Sequence, residues 1–202
     1  MIDLLATFIF FFAVIDPIGT VPVYIAVTQD ADAQARRRIA LVSAVAAACV
    51  LLFFVIAGEL ILTAMKIPLE AFQIAGGIVL FLFALTMIFG ESKPEQESRF
   101  LEDQDQTAIF PLAMPSIASP GAMLGAVLLT ENSRFNLFEQ FQTVLVMLSV
   151  IVVALLLMLL ATHIHRFIGN AGASVISRVM GFILTAVATT QALAGIEGYF
   201  NL

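Results

Sequence analysis

The chain has 202 residues, of which 61% are hydrophobic and 12% are charged, and its mean hydropathy is +1.04. Because a soluble domain is about 45–50% apolar and about 25% charged, this composition indicates an integral membrane protein. Of the fifteen acidic residues behind the formal net charge of -6, six lie in residues 91–105, and no basic patch suited to nucleic acid is present. The single cysteine, Cys49, excludes a disulfide framework or a thiolate metal site within one chain.

Six stretches of the chain are long and apolar enough to cross a bilayer, which takes about 20 residues of helix. They are residues 4–27, 39–62, 70–90, 108–130, 140–161 and 175–196. The first has no basic residue ahead of it and is longer than a signal-peptide core, so we expect a span rather than a cleaved leader. Residues 79–89 do not alternate between apolar and polar as a barrel strand would. The predicted fold class is therefore an all-α, polytopic membrane protein with six transmembrane helices.

The first span is interrupted near its middle by the sequence DPIGTVP, residues 16–22. Proline removes a backbone donor and clashes with the preceding turn, and glycine tolerates the resulting conformations. In a bilayer such a break survives only where it is buried in protein or lines a wet cavity. Asp16 is the only acidic residue near the middle of a predicted span, where a charge costs at least about 2.5–3.5 kcal/mol. Three roles stay open for it: pairing with a substrate ammonium, carrying a coupling proton, or capping the broken backbone.

Most basic residues fall on one side of the predicted bundle. The loops after spans one, three and five, together with the first turn of span six, hold seven of the nine: Arg36, Arg37, Arg38, Lys93, Arg99, Arg166 and Arg178. Because short cytoplasmic loops collect Lys and Arg, we predict that both termini are extracytoplasmic. The triplet at 36–38 is interpreted as a topology anchor, with a lipid-headgroup or regulatory contact as the alternative.

Residues 91–107 form an acidic, polar loop between spans three and four, which we interpret as a flexible linker. It divides the chain into a first three-helix repeat at 1–90 and a second, inverted three-helix repeat at 108–202. Span four carries its own break, MPSIASPGAM at 114–123, in the position that DPIGTVP holds in span one. A further alignment pairs Gly77 with Gly181, Ala84 with Ala188 and Thr86 with Thr190. We therefore expect two inverted repeats with discontinuous helices 1 and 4.

Two interrupted helices that meet at mid-depth expose free N–H groups on one half-helix and free C=O groups on the other. Secondary transporters use this arrangement to bind their substrates. An amino-acid zwitterion matches it, with amides of residues 19–21 and 121–123 facing its carboxylate and Asp16 with freed carbonyls facing its ammonium. Small side chains around the breaks favour a small substrate or, alternatively, close helix packing. They are Gly19, Thr20, Ser116, Ala118, Ser119, Gly121, Ala122 and Gly125, while Thr189, Thr190 and Gln191 of span six are candidate polar lining.

Other function classes receive less support from the sequence. The chain has no phosphate-binding GxxxxGK[ST] loop, which argues against a self-contained pump. His163 and His165 are two positions apart, so on a helix they point in different directions and cannot readily share a metal ion. We expect no catalytic residue, no metal and no cofactor. A channel, another small-metabolite exporter and, less favoured, an intramembrane enzyme remain the alternatives. The alanine-rich residues 43–50 can pack against a second copy or against their own bundle.

These motifs resemble the MarC family of bacterial and archaeal inner-membrane proteins over nearly the whole chain. The matching segments are residues 16–22, 36–38, 57–62, 71–85, 111–123 and 180–191. That family typically has Asn or Asp before the first proline and Gly-Pro in the second motif, where this chain has Asp16 and Ser119-Pro120. The resemblance implies a six-helix inverted-repeat fold with discontinuous first and fourth helices. It also implies membership of a group that includes transporters of small neutral amino acids such as glycine and alanine.

The resemblance and the amide argument together give the predicted site. The substrate-binding residues are Asp16, Pro17, Gly19, Thr20, Ser119, Pro120, Gly121 and Ala122, and the candidates for coupling or lining are Asp16, Ser116, Thr190 and Gln191. The expected partners are a small zwitterion, protons or another cation, and the lipid bilayer, with no nucleic acid. We expect a multi-pass protein of a bacterial or archaeal inner membrane.

Overall fold

The computed structural model describes residues 3–29, 31–89, 112–132 and 134–200, and for residues 115, 162–171 and 173 it describes the backbone only. The elements are α1 Leu4–Ile15, α2 Pro17–Val27, α3 Ala33–Ala64, α4 Leu69–Phe89, an irregular segment Leu112–Ile117, α5 Pro120–Leu128, α6 Leu137–Leu159 and α7 Ala161–Phe200. The described ranges contain no strand, so the all-α prediction is confirmed for them.

Side-chain caps determine where several of these helices begin. Asp3 caps the first turn of α1, and Asp32 caps α3 by accepting from the amide of Ala35 at 2.7 Å. Asn136 and Glu139 form a reciprocal capping box at the start of α6. Each cap satisfies an amide that has no partner inside its own helix, so the polar residue before each apolar run fixes the helix boundary.

Five of the six predicted spans correspond to helical stretches that are long and apolar enough to cross a membrane. They are Leu4–Val27, which joins α1 and α2, and Ala33–Ala64, Leu69–Phe89, Leu137–Leu159 and Ser174–Phe200. The predicted fourth span is represented by the irregular segment and α5, since residues 108–111 lie outside the described residues. The linker at 91–107 lies outside them as well. The six-span count and the inverted repeat therefore stay predictions.

Helix α7 extends further than the sequence predicted. The sixth span was expected at 175–196, whereas α7 runs for 40 residues from Ala161 to Phe200. Its length is about 60 Å at 1.5 Å per residue, which is twice the thickness of the hydrocarbon core. The prediction used hydropathy, which identifies only the apolar part of such a helix. Residues 162–173 are more polar but contain no proline that would end the helix.

The interrupted helices lie at the centre of the bundle. In the stretch Leu4–Val27, 56% of the most apolar window is buried, against 22% to 33% for the four continuous spans. Seven residues of the nine-residue α5 are buried too. Helices α4 and α7 pack against each other, α2 packs against α6 and α7, and α3 packs against α5 and α6. The continuous helices thus enclose both breaks.

Glycines allow α4 and α7 to approach each other closely. A Cβ on Gly77 would lie 2.9 Å from the carbonyl oxygen of Ala188 and 2.8 Å from the amide nitrogen of Ala192. A Cβ on Gly181 would lie 3.1 Å from the carbonyl oxygen of Ala84. Within a membrane, helices associate through such close packing, because lipid is as apolar as the side chains.

The outer faces of the continuous helices are apolar. Ile56 is 78% exposed, and Leu82 and Phe182 are exposed as well. An apolar surface of this kind suits lipid and would be unfavourable in water. In residues 43–50, Ala44 and Ala47 are buried inside the bundle of their own chain. These two alanines therefore pack within their own chain, which is one of the two arrangements that the sequence left open.

Candidate functional site

The first break is a single residue, Asp16, between α1 and α2. Its φ of 48° and ψ of 66° place it in the left-handed region, where Asp and Asn are tolerated better than other residues with a side chain. Its Oδ1 accepts a hydrogen bond from the amide of Gly19 at 3.0 Å, and Pro17 is the first residue of α2. Proline suits that position because its fixed φ is helical and the missing donor would have no partner there.

The second break repeats the cap, proline and bonded amide of the first, although Ser119 is extended (φ -70°, ψ 159°) where Asp16 is left-handed. Met114 is extended, with φ -140° and ψ 124°, inside the irregular segment Leu112–Ile117. Ser119 then caps α5, and its Oγ accepts from the amide of Ala122 at 3.2 Å. Pro120 is the first residue of α5. Both half-helices therefore begin with a capping side chain, a proline and a bond to the amide three residues after the cap.

Hydrogen bonds connect the two breaks directly. The hydroxyl of Ser119 donates to the carbonyl oxygen of Val14, in the last turn of α1, at 2.7 Å. The hydroxyls of Thr20 and Ser116 are 3.2 Å apart. All of these groups are buried, and Thr20, Ser116 and Ser119 have no exposed surface. The structure therefore brings together three of the predicted site residues, from both halves of the chain.

Asp16 also contacts a helix that the sequence did not connect with it. The hydroxyl of Ser177, on α7, donates to Oδ2 of Asp16 at 3.4 Å. Asp16 is only 2% exposed, and Ser177 is equally buried. Gly19 lies against both, since a Cβ there would collide with the Asp16 carboxylate and come within 2.9 Å of the Ser177 hydroxyl. Of the three roles open for Asp16, capping is the one for which the structure shows the hydrogen bond.

The first-turn amides that were expected to face a substrate carboxylate are partly occupied by the protein itself. Gly19 donates to Asp16, and Ala122 donates to Ser119. A carboxylate at either amide must therefore displace a capping side chain. In this structure both amides are bonded to capping oxygen atoms of the chain itself.

The remaining candidates have different environments. Pro17, Gly121 and Ala122 are buried, and Pro120 is exposed. A Cβ on Gly121 would lie 2.5 Å from Cδ1 of Leu80 and 3.1 Å from Cγ1 of Val14. Gly121 therefore accommodates neighbouring side chains in this conformation, as the packing alternative expected.

The three residues of span six that were predicted to line the site, Thr189, Thr190 and Gln191, make no hydrogen bond to a described residue of the breaks. Thr190 is exposed, and its hydroxyl donates to the carbonyl of Ala186. Gln191 accepts from Nε2 of Gln73, on α4, at 2.7 Å. The side chains of His163 and His165 are outside what the structure describes.

Two polar residues of the bundle interior, Ser177 and Gln73, were missed from the sequence. Gln73 is 4% exposed, and its Oε1 has no hydrogen-bond partner. The alignment of Gly77 with Gly181 also aligns Gln73 with Ser177. The signal in the sequence that identifies both is a pair of polar residues at equivalent positions of the third span in each half.

Replacing Ser119 with alanine is expected to lower the free energy of unfolding by about 1–3 kcal/mol. The change removes the donor to the Val14 carbonyl and the acceptor for the Ala122 amide, both in the buried interior. Ser149→Ala is the matched control, because Ser149 is exposed and its hydroxyl donates only to Val146 of its own helix. Unfolding in mixed detergent micelles measures both variants. Equal losses in the two would contradict a bridging role for Ser119.

Comparisons with known proteins give a consistent result. The sequence model of one family, described as MarC family integral membrane protein, matches residues 1–200. UPF0056 membrane protein MJ1677 of Methanocaldococcus jannaschii is 33% identical over 190 residues, covering 93% of this chain and 92% of that protein. A UPF0056 membrane protein of Buchnera aphidicola subsp. Baizongia pistaciae is 28% identical over 202 residues and 100% of both chains. UPF0056 membrane protein YhcE of Escherichia coli K12 is 28% identical over 200 residues, 96% of this chain and 91% of its own. No solved structure matches.

Proposed function

Because the chain belongs to the MarC family of integral membrane proteins, we propose that it is a secondary transporter of small neutral amino acids, of the glycine and alanine class. The observation that carries the proposal is the pair of capped helix breaks, enclosed by continuous helices and joined by the Ser119 to Val14 hydrogen bond. Discontinuous helices of this kind bind substrates and coupling ions in secondary transporters, because their half-helix ends carry partial charges.

The proposed architecture has six spans in two inverted repeats, with both termini outside the cell membrane. Two matched features support it. The cap, the proline and the bonded amide of Asp16, Pro17 and Gly19 recur in order at Ser119, Pro120 and Ala122. The contact between Gly77 and Ala188 recurs with the roles exchanged at Gly181 and Ala84, as a twofold relation between α4 and α7 requires.

The proposed mechanism follows from the caps. In this structure, Asp16 and Ser119 satisfy the amides of Gly19 and Ala122. When a substrate carboxylate takes over one of these amides, the released cap side chain becomes available to the substrate ammonium. Separation of Thr20 from Ser116, and of Ser119 from Val14, then opens one side of the site at a time. Proton coupling through Asp16 is the secondary part of the proposal.

The experiment is uptake of labelled glycine and alanine by liposomes that contain the purified protein, with and without a pH gradient. Gly121→Val is expected to abolish saturable uptake, because its branched side chain would displace Leu80 and Val14 at the second break. Ala194→Val introduces the same side chain at an exposed position of α7 and is expected to leave uptake unchanged.

Two results would overturn the proposal. One is the absence of uptake and counterflow of both amino acids in protein that is folded and correctly inserted. The other is a steady current without saturable counterflow, which would assign the chain to the channels. A small-metabolite exporter of another class would show counterflow only with a different solute.

A further inference from the structure

A cavity of about 350 Å³ lies at one end of the bundle, where α2 ends and α3 begins. We call it the Arg37 cavity. Tyr24, Thr28, Arg36 and Arg37 contribute its polar lining, and Met158 and Leu159 contribute apolar surface from the end of α6. The charged residues among its described lining are both arginines.

A second cavity, of about 270 Å³, lies at the opposite end of the bundle, where α5 ends and α6 begins. We call it the Glu59 cavity. Its polar lining comes from Glu59, Thr130, Asn132 and Gln140, and Val55 and Ile56 of α3 provide the apolar surface. Arg37 and Glu59 both lie on α3, separated by 22 positions or about 33 Å of helix. The two cavities are thus about one hydrocarbon thickness apart.

The two cavities occupy equivalent places in the two halves of the chain. A shift of 103 positions carries Asp16 and Pro17 onto Ser119 and Pro120. The same shift relates three lining pairs: Val55 to Met158, Ile56 to Leu159 and Arg37 to Gln140. Each cavity is therefore built from the end of a broken span, the start of the next helix and the end of the corresponding helix in the other half.

Their charges are opposite. Oε2 of Glu59 accepts from the amide nitrogen of Asn132 at 2.9 Å and from its Nδ2 at 2.8 Å, and both donors are uncharged. No cationic group pairs with Glu59 in the described part of the chain. In the other cavity, Arg36 donates to the carbonyls of Ala31 and Gln29, while Arg37 makes no hydrogen bond or ion pair with a described residue. One cavity therefore presents a carboxylate and the other a guanidinium, each without an opposite charge from the described residues.

We propose that the two cavities are the outer and inner vestibules of the transport path and that they receive opposite ends of a zwitterion. The Glu59 cavity binds the ammonium group, and the Arg37 cavity binds the carboxylate. Both volumes exceed what a bare ion needs and accommodate a small amino acid with water. This inference rests on the proposed function, and it adds two binding sites away from the helix breaks.

Two single-charge probes test the proposal with the full chain in nanodiscs of neutral lipid. Glycinamide carries the ammonium without a carboxylate, and propionate carries the carboxylate without an ammonium. Saturation-transfer NMR gives the half-saturating concentration of each probe for the wild type and for Glu59→Gln and Arg37→Gln. Glu70→Gln and Arg38→Gln are matched controls, since each removes the same charge near the same end of the bundle and outside the described lining of either cavity.

In Glu59→Gln, the half-saturating concentration of glycinamide is expected to rise on the order of five- to tenfold, and that of propionate to stay unchanged. Arg37→Gln is expected to show the reverse, and both controls to match the wild type. Glutamine can still accept the Asn132 hydrogen bonds, so the Glu59 variant keeps its contacts, and Glu59→Asp should retain glycinamide binding. The proposal would be overturned if neither variant changed the affinity of either probe. It would also be overturned if both variants lowered the affinities of both probes equally.

The nanodiscs also separate the substrate from a lipid as the occupant of the Arg37 cavity. Loss of propionate binding when phosphatidylglycerol is added would assign that cavity to a lipid phosphate and overturn its role as a vestibule. Glycine uptake is measured in parallel. Probe selectivity without uptake would leave two charge-selective binding sites but remove the transport proposal and their role as vestibules. Uptake without probe selectivity would remove only the vestibules.

Discussion

Asp16→Ala is expected to abolish glycine uptake and to lower the free energy of unfolding by about 2–3 kcal/mol, whereas Asp16→Asn should fold as the wild type does. Alanine loses the cap on the Gly19 amide, which is worth about 0.5–2 kcal/mol. It must also adopt the left-handed conformation at φ 48°, which costs a residue other than Gly, Asn or Asp roughly 1–2 kcal/mol. Asparagine keeps the acceptor and tolerates that conformation, and it removes only the charge.

The pair of variants separates the roles that the sequence left open. If the Asp16 charge carries the coupling proton, Asp16→Asn keeps glycine exchange and loses its response to a pH gradient. If the charge binds the substrate ammonium, Asp16→Asn loses exchange at either pH. Counterflow with and without a gradient measures this, and unfolding in mixed micelles measures stability.

Asp32→Ala is the matched control for the loss of a cap. Asp32 caps α3 through Ala35 at 2.7 Å, but it is exposed and its φ of -71° is ordinary. Its replacement should cost no more than about 1 kcal/mol and leave uptake intact. Wild-type stability and uptake in Asp16→Ala would show that neither the cap nor the charge of Asp16 matters.

The position of the first break could be read from the sequence because the signal there is local. Asp followed by Pro, with Gly two residues later, satisfies the cap, the first helical position and the bonded amide within four residues, and the structure uses each for that purpose. The same reasoning explains why either Asn or Asp suits the position before the first proline, since both cap a helix and both tolerate positive φ.

Contacts between helices that are distant in the sequence could not be predicted. Ser177 reaches Asp16 over 161 positions of chain, and Gln73 reaches Gln191 over 118. Neither residue stands in a breaker motif, and a polar residue in an apolar helix can face any neighbour until the helix rotation is known. The Asp16 cap on the Gly19 amide was one of the roles left open, but the Ser119 cap on the Ala122 amide was not predicted. An argument from helix ends counts free donors before side chains are placed.

The interface between α4 and α7 is expected to be the most sensitive part of the fold, and two adjacent glycines show why. Gly77→Ala should destabilise the protein by about 3 kcal/mol, because the new Cβ would meet backbone atoms of Ala188 and Ala192. Backbone atoms cannot rotate away, so the two helices must separate. Gly76→Ala is the matched control on the same helix, since the three atoms nearest to its Cβ all belong to the side chain of Leu124 and none is a backbone atom.

Both substitutions gain the same helix propensity, about 1 kcal/mol, so the difference between them isolates the α4–α7 contact. We expect Gly77→Ala to be less stable than Gly76→Ala by about 2 kcal/mol in mixed-micelle unfolding. Gly181→Ala extends the test to the second half: its closest backbone contact would be Ala84 at 3.1 Å, and its loss should fall between the other two. Equal stabilities of Gly76→Ala and Gly77→Ala would mean that α4 and α7 separate freely. The twofold contact between the halves would then carry no stability of its own.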